Sequence, residues 1–143
     1  MLGLICRQDG MHEAALRLQQ RAKKLHERAH GFKHHEVGRD LSHIGNSLCD
    51  LGRLDEAHQA FRDAQAIDTA ALGAEHLHTI TDGASVGVVL ASQRKYREAL
   101  PHLESAHRML GGALDANHPN LVAVSRFLAE CHERLANEEG GHS

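Results

Sequence analysis

A step of 42 residues runs through the sequence and limits its fold more than any other feature. Ala15, Ala57 and Ala99 are separated by it, as are Ala22, Ala64 and Ala106. Leu25, Ile67 and Met109 keep the interval, and so do Ala29, Ala71 and Ala113. His34, His76 and His118 follow it, and Gly31 and Gly73 recur with Asp115 in the third place. Upstream, Gly3, Gly45 and Gly87 align, with Ala129 in the fourth copy. Recurrence at a fixed period marks a repeat array, in which each unit buries its apolar face only by stacking on its neighbours.

Within each unit the apolar spacing is helical. Ala15, Leu18, Ala22, Leu25 and Ala29 step by three, four, three and four. Ala57, Phe61, Ala64, Ile67 and Ala71 nearly repeat that pattern, as do Ala99, Leu103, Ala106, Met109 and Ala113. Such steps place one apolar stripe on one face of a helix, the second helix of each unit. A shorter first helix precedes it, with Leu41, Ile44, Gly45 and Leu48 in one copy and Val86, Gly87 and Leu90 in the next. Gly10 and Gly52 mark the turn between the two helices, where a residue without a Cβ can close the first one. Small residues at 45 and 57 allow close approach. Composition agrees with an all-α chain: 41% of residues are hydrophobic but only 3% aromatic, and two prolines leave long uninterrupted stretches.

These residues carry a family resemblance. The unit Leu41, Ile44-Gly45, Leu48, Gly52, Leu54, Ala57, Phe61, Ala64 resembles the tetratricopeptide repeat (TPR) consensus. Leu41 stands where that motif often has Trp, and Leu54 where it often has Tyr. The 42-residue period and the ending Ala71-Leu72-Gly73-Ala74-Glu75-His76 are similar to the kinesin-light-chain-like subclass, whose "ALG-x-x-HP" tail links one unit to the next. His118-Pro119 matches the end of that tail, while His34-His35 and His76-Leu77 match only its His. The eight residues beyond the 34-residue form would lengthen the second helix by roughly two turns.

The resemblance implies an α-α superhelix, a TPR solenoid of about seven helices in antiparallel pairs with a C-terminal capping helix. It places a truncated repeat at 1–36, its first helix entered midway by Met1, repeat two at 37–78 and repeat three at 79–120. The cap takes 121–136, and 137–143 form a flexible tail. Gly83 stands in the place of Leu41 and Arg94 in that of the turn glycine, so the first helix of repeat three is expected to be looser than its neighbours.

The resemblance also implies a protein-interaction scaffold whose first helices line a concave groove for a peptide or partner protein. Its groove positions fall on Arg39, Ser42, His43, Asn46 and Asp50 in repeat two, and on Thr81, Ala84, Ser85, Val88 and Ser92 in repeat three. The cap offers Arg126, Phe127, Glu130 and Glu133, and the truncated repeat Leu4, Arg7 and Gln8. The carboxylate clamp of some family members needs Lys and Asn at set positions, and only Asn46 fits. Two other readings stay open: self-association through the apolar N-terminal edge at Leu2, Leu4 and Ile5, and a peptide-sensing regulatory domain of a longer protein.

Other function classes find little support. A net charge of −3 provides no basic field for nucleic acid. Arg17, Arg21, Lys23, Lys24 and Arg28 are interleaved with Glu13 and Glu27, as on a solvated helix face. No apolar run approaches the ~20 residues needed to cross a bilayer. Cys6, Cys49 and Cys131 lack CxxC spacing and read as reduced thiols of a cytoplasmic protein. Fourteen histidines invite a metal reading. His34, His76 and His118 are a whole repeat apart, too far for one ion, and read as caps of the inter-repeat turn. His26 and His30, at i and i+4, would need a third ligand. His43, Ser47 and Asp50 share a helix face, but side chains from one straight helix do not converge as a catalytic triad. No cofactor, metal or catalytic residue is assigned. The histidines would carry the protein from slightly acidic to basic between about pH 7 and 5.5.

Overall fold

The computed structural model describes residues 2–140, with side chains described for residues 10–139. Six helices follow one another: α1 (Leu2–His30), α2 (His35–Asp50), α3 (Leu54–Leu72), α4 (Leu77–Ser92), α5 (Tyr96–Ala113) and α6 (Pro119–Gly140). No strand occurs among the described residues. The chain divides into two compact units, residues 1–74 with α1, α2 and α3, and residues 75–143 with α4, α5 and α6.

In the first unit α2 packs between α1 and α3. Its apolar face, Val37, Leu41, Ile44 and Leu48, is buried, and α3 answers with Ala57, Ala60, Phe61 and Ala64. The tightest point is Gly45, where an added Cβ would lie 2.7–2.9 Å from three atoms of the Phe61 ring. Phe61 is only 2% exposed, and burying such a ring contributes about 1.5–3 kcal/mol relative to leaving it in water. The second unit repeats the device. Gly87 of α4 faces Leu103 of α5, whose Cγ and Cδ2 lie 2.9 Å from where a Cβ would be. Second helices are the longer of each pair, 19 residues against 16 in the first unit and 18 against 16 in the second.

The ends of the helices keep the 42-residue step. His34 accepts a hydrogen bond at Nδ1 from the Glu36 backbone N–H, and His76 and His118 do the same for His78 and Asn120, each at 3.2 Å. A side-chain acceptor there satisfies one of the N–H groups that the start of a helix leaves unpaired. Gly31 and Gly73 follow α1 and α3 at positive φ, 88° and 95°. The third copy departs from this: α5 ends in extended backbone at Leu114, φ −123°.

Three sequence expectations need correction. Gly10 makes no turn, since it lies inside α1, a single helix of 29 residues. A helical glycine costs only about 1 kcal/mol, and a Cβ added at Gly10 would meet nothing within 4 Å. This is why six helices stand where about seven were expected. The first helix of repeat three is not loose, because α4 has the 16 residues of α2 and buries ten of them. Its turn closes although Arg94 replaces glycine. Arg94 adopts φ 66°, close to the 76° of Gly52. Lys95 N–H bonds Leu90 C=O at 2.9 Å just as Arg53 N–H bonds Leu48 C=O at 2.8 Å, the 6→1 bond of a Schellman closure. Finally, α6 continues through residues 137–140, the start of the expected tail.

Three outcomes follow for stability. Gly45→Ala should cost about 1–2 kcal/mol in denaturant unfolding, and Phe61→Leu added to it should recover part of the loss. Gly111→Ala, with open space around it, should gain about 0.5–1 kcal/mol instead. Arg94→Gly should stabilise by about 1 kcal/mol, because it relieves a left-handed conformation that side chains disfavour.

Candidate functional site

The polar residues assigned to the first helix of repeat two fall on one side of α2. Arg39, His43, Asn46 and Asp50 step by four, three and four, and all four are exposed. The opposite side of the helix is held by the core, so these side chains have their direction fixed by the packing of Leu41, Ile44 and Leu48. Ser42 is half-buried and donates its hydroxyl to the Gly38 carbonyl at 3.2 Å. At the far end Asp50 lies 3.5 Å from His12 Nδ1 of α1.

In the second unit α4 and α6 both pack on α5 and touch each other. Ser85 and Val88 of α4 are half-buried, as is Thr81, whose hydroxyl donates to the Leu77 carbonyl at 2.8 Å. Ser92 is exposed. Ala84 belongs to the core at 6% exposure and does not line a surface. On α6, Arg126 and Glu133 are exposed, while Phe127 and Glu130 are half-buried. Leu4, Arg7 and Gln8 lie outside the described side chains. A shallow hollow of about 180 Å³ beside Arg94, Tyr96, Arg97 and Leu135 contains none of the assigned residues.

The histidine pair on α1 meets carboxylates of α2. His26 Nδ1 lies 2.5 Å from Asp40 Oδ2, a buried carboxylate, and His26 Nε2 lies 3.3 Å from Glu36 Oε2. His30 Nε2 is 3.9 Å from the same oxygen. The hydrogen bond to Asp40, with the charges of Asp40 and Glu36, raises the His26 pKa. No group of three His, Cys, Asp or Glu among the described residues is arranged to hold a metal ion. His34 moves the other way. Burial lowers its pKa, and the neighbouring His35 and His30 add to the effect. His30 and His34 are stacked at 4.4 Å between ring centroids.

Sequence reasoning did not find the His26–Asp40 pair, although a signal existed. His26 occupies the register of Asp68 and Leu110, which are 3% and 0% exposed, so the position faces inward in the second and third copies. The proposed face of His43, Ser47 and Asp50 does not hold together. Ser47 is buried and donates to Gln19 Oε1 at 2.8 Å, whereas His43 and Asp50 face solvent. Burial pushes the Cys49 thiol up to about 11, with Asp50 contributing, and raises that of Cys131. Both are free and poor nucleophiles at neutral pH. No helix among the described residues is long and apolar enough to cross a membrane.

The sign of the His26 linkage is fixed by its raised pKa. Its contribution to stability is fully present below the ordinary imidazole value of about 6.5 and is lost as pH rises through the folded value. Asp40→Asn should therefore lower the His26 midpoint in an NMR imidazole titration. The same variant should lose more stability at pH 5.5 than at pH 8.

The comparisons agree with this architecture. The family model described as "Tetratricopeptide repeat" matches residues 1–70 and again 40–110. Among solved structures, nearly identical TPR-like repeats from a Podosopora anserina protein assigned as a kinesin light chain superpose with a TM-score of 0.76 at 18% identity. A point variant of the same repeats gives 0.77, also at 18% identity. In both cases the match covers 92% of this chain and 62% of the other. Comparison with the curated proteins returns no match. A 42-residue period, histidine-capped helix pairs closed on a glycine, and a family match over most of the sequence lead to one statement: the chain belongs to the tetratricopeptide repeat family.

Proposed function

We propose that this chain is a non-catalytic scaffold that binds a peptide or partner protein through the polar faces of its first helices, α2 in the first unit and α4 and α6 in the second. What supports the reading most is the row Arg39, His43, Asn46 and Asp50. All four are exposed on one side of a helix whose other side is locked in the core. Rigid backing matters for recognition, because side chains on a packed helix lose less freedom on binding than side chains on a loop. The row offers a cation, an anion, an amide and an imidazole, suited to a polar segment rather than an apolar one. Val88 and Phe127, half-buried on α4 and α6, would take small apolar anchors. Arg126 and Glu130 supply further charges of both signs.

A second reading has an observation of its own. Met11, Leu18, Leu25 and Phe32 are 71, 63, 64 and 72% exposed, an apolar row on α1 and just past it that favours self-association, while Leu2, Leu4 and Ile5 of the N-terminal edge lie outside the described side chains.

The first reading is tested with a displayed peptide library, binders being re-measured in solution. The triple variant Arg39→Ala, Asn46→Ala, Arg126→Ala should weaken selected peptides by about tenfold or more while leaving the circular dichroism spectrum unchanged, as expected when recognition rests on a few side chains. Peptides that bind wild type and triple variant equally would remove these faces as the site.

A further inference from the structure

The exposed row on α1 recurs every seven residues, Met11, Leu18, Leu25 and then Phe32 just past the helix end. Seven residues are nearly two helical turns, so the row is one continuous stripe. The side that α1 turns to α2 is separate: Leu16 is 3% exposed there, and Gln19 and His26 bond Ser47 and Asp40. A hollow of about 350 Å³ lined by Lys24, Glu27, Arg28 and Phe32 opens at the C-terminal end of the stripe.

The repeat register says what kind of surface covers such a stripe. Leu25 corresponds to Ile67, and Leu18 to His102. Ile67 Cγ2 lies 3.2 Å from where a Cβ on Gly38 would be, and His102 Cβ lies 3.1 Å from the same point on Gly87. In α3 and α5, then, these positions press on a small residue of the preceding first helix. Among the described residues α1 has no such helix against it. The reverse holds for α6, which stands in the register of α2 and α4 and has no second helix against it among the described residues. Its counterparts of Gly38, Gly45 and Gly52 are Val122, Ala129 and Ala136. All three are exposed, Val122 at 43%.

We propose that α6 of one copy docks antiparallel on the α1 stripe of a second copy, as the first helix that this stripe accepts. The proposal rests on the self-association reading above and names its surfaces. In the register set by Gly38 with Ile67 and by Gly87 with His102, Val122 meets Leu25 and Ala129 meets Leu18. Charge favours the same pairing. Between residues 10 and 30, α1 carries Arg17, Arg21, Lys23, Lys24 and Arg28 against Glu13 and Glu27. The α6 helix carries Glu130, Glu133, Glu138 and Glu139 against Arg126 and Arg134. Arg17 comes opposite Glu130, and Arg21 falls beside Arg126 with Glu130 one turn away. A parallel symmetric pairing of two α1 helices would instead set Arg17, Arg21 and Arg28 against their own copies, and an antiparallel one with Leu18 against Leu25 would set Arg21 beside its own copy, both repulsive. The contact is heterologous, so each associated pair keeps one free α1 stripe and one free α6 face.

Sedimentation velocity over a concentration series tests this on the full chain. Wild type should form species that grow beyond a dimer. Leu18→Glu with Leu25→Glu blocks the stripe, and Val122→Lys with Ala129→Lys blocks the α6 face. Each variant alone should be monomeric, and an equimolar mixture of the two should yield a heterodimer and nothing larger. Recovery on mixing also shows that both variants are folded. Self-association of the α6 variant to the wild-type extent would overturn α6 as the occupant while leaving self-association standing. A mixture that yields no heterodimer would also overturn it. A wild type that stays monomeric throughout would overturn both.

Discussion

The pairing of a glycine with a bulky apolar side chain, Gly45 with Phe61 and Gly87 with Leu103, sets the geometry on which the other contacts depend. The missing Cβ lets the two helices of a repeat close until a ring or a branched chain fills the space. Once that distance is set, the alanines at 57, 64, 99 and 106 are large enough to complete the seam, and each is at most 3% exposed. Larger residues there would hold the helices apart. The low aromatic content follows from the same geometry, since close-packed helices leave room for few rings.

A fixed seam also fixes which way the polar residues point. Arg39 and Asn46 owe their exposure to Val37, Leu41, Ile44 and Leu48 occupying the buried side of the same helix. The apolar stripe of α1 has the same origin. Its residues repeat the pattern of α3 and α5 but have no first helix over them among the described residues, so side chains of a core-facing register remain in solvent.

Much of this was legible in the sequence because a period is a redundant signal. Position 34 alone says nothing, but His34, His76 and His118 together point to one repeated local role, and each caps a helix through Nδ1. Features belonging to one copy were harder to read. α1 continues through Gly10, where glycine propensity alone argues for a break. Arg94 in a left-handed conformation is a case where tertiary packing overrides a local preference worth about 1 kcal/mol. The His26–Asp40 pair spans an inter-repeat turn, and spacing within one helix cannot reveal a partner on the next. The polar faces were placed by family register, which located exposed residues on α2 but put buried Ala84 among them.

The two kinds of turn differ in how much change they can absorb. The turn after α2 is tied by the Arg53 N–H to Leu48 C=O bond, and only three residues separate α2 from α3. One residue inserted there advances α3 by about 100° around its axis, which turns Phe61 away from Gly45. The linker between repeats is exposed from Gly31 to Lys33, before the capping His34. An extra residue among those three leaves the Gly45–Phe61 contact in place, so insertion is less disruptive there than in the turn after α2, a grammar of insertion written by one glycine contact.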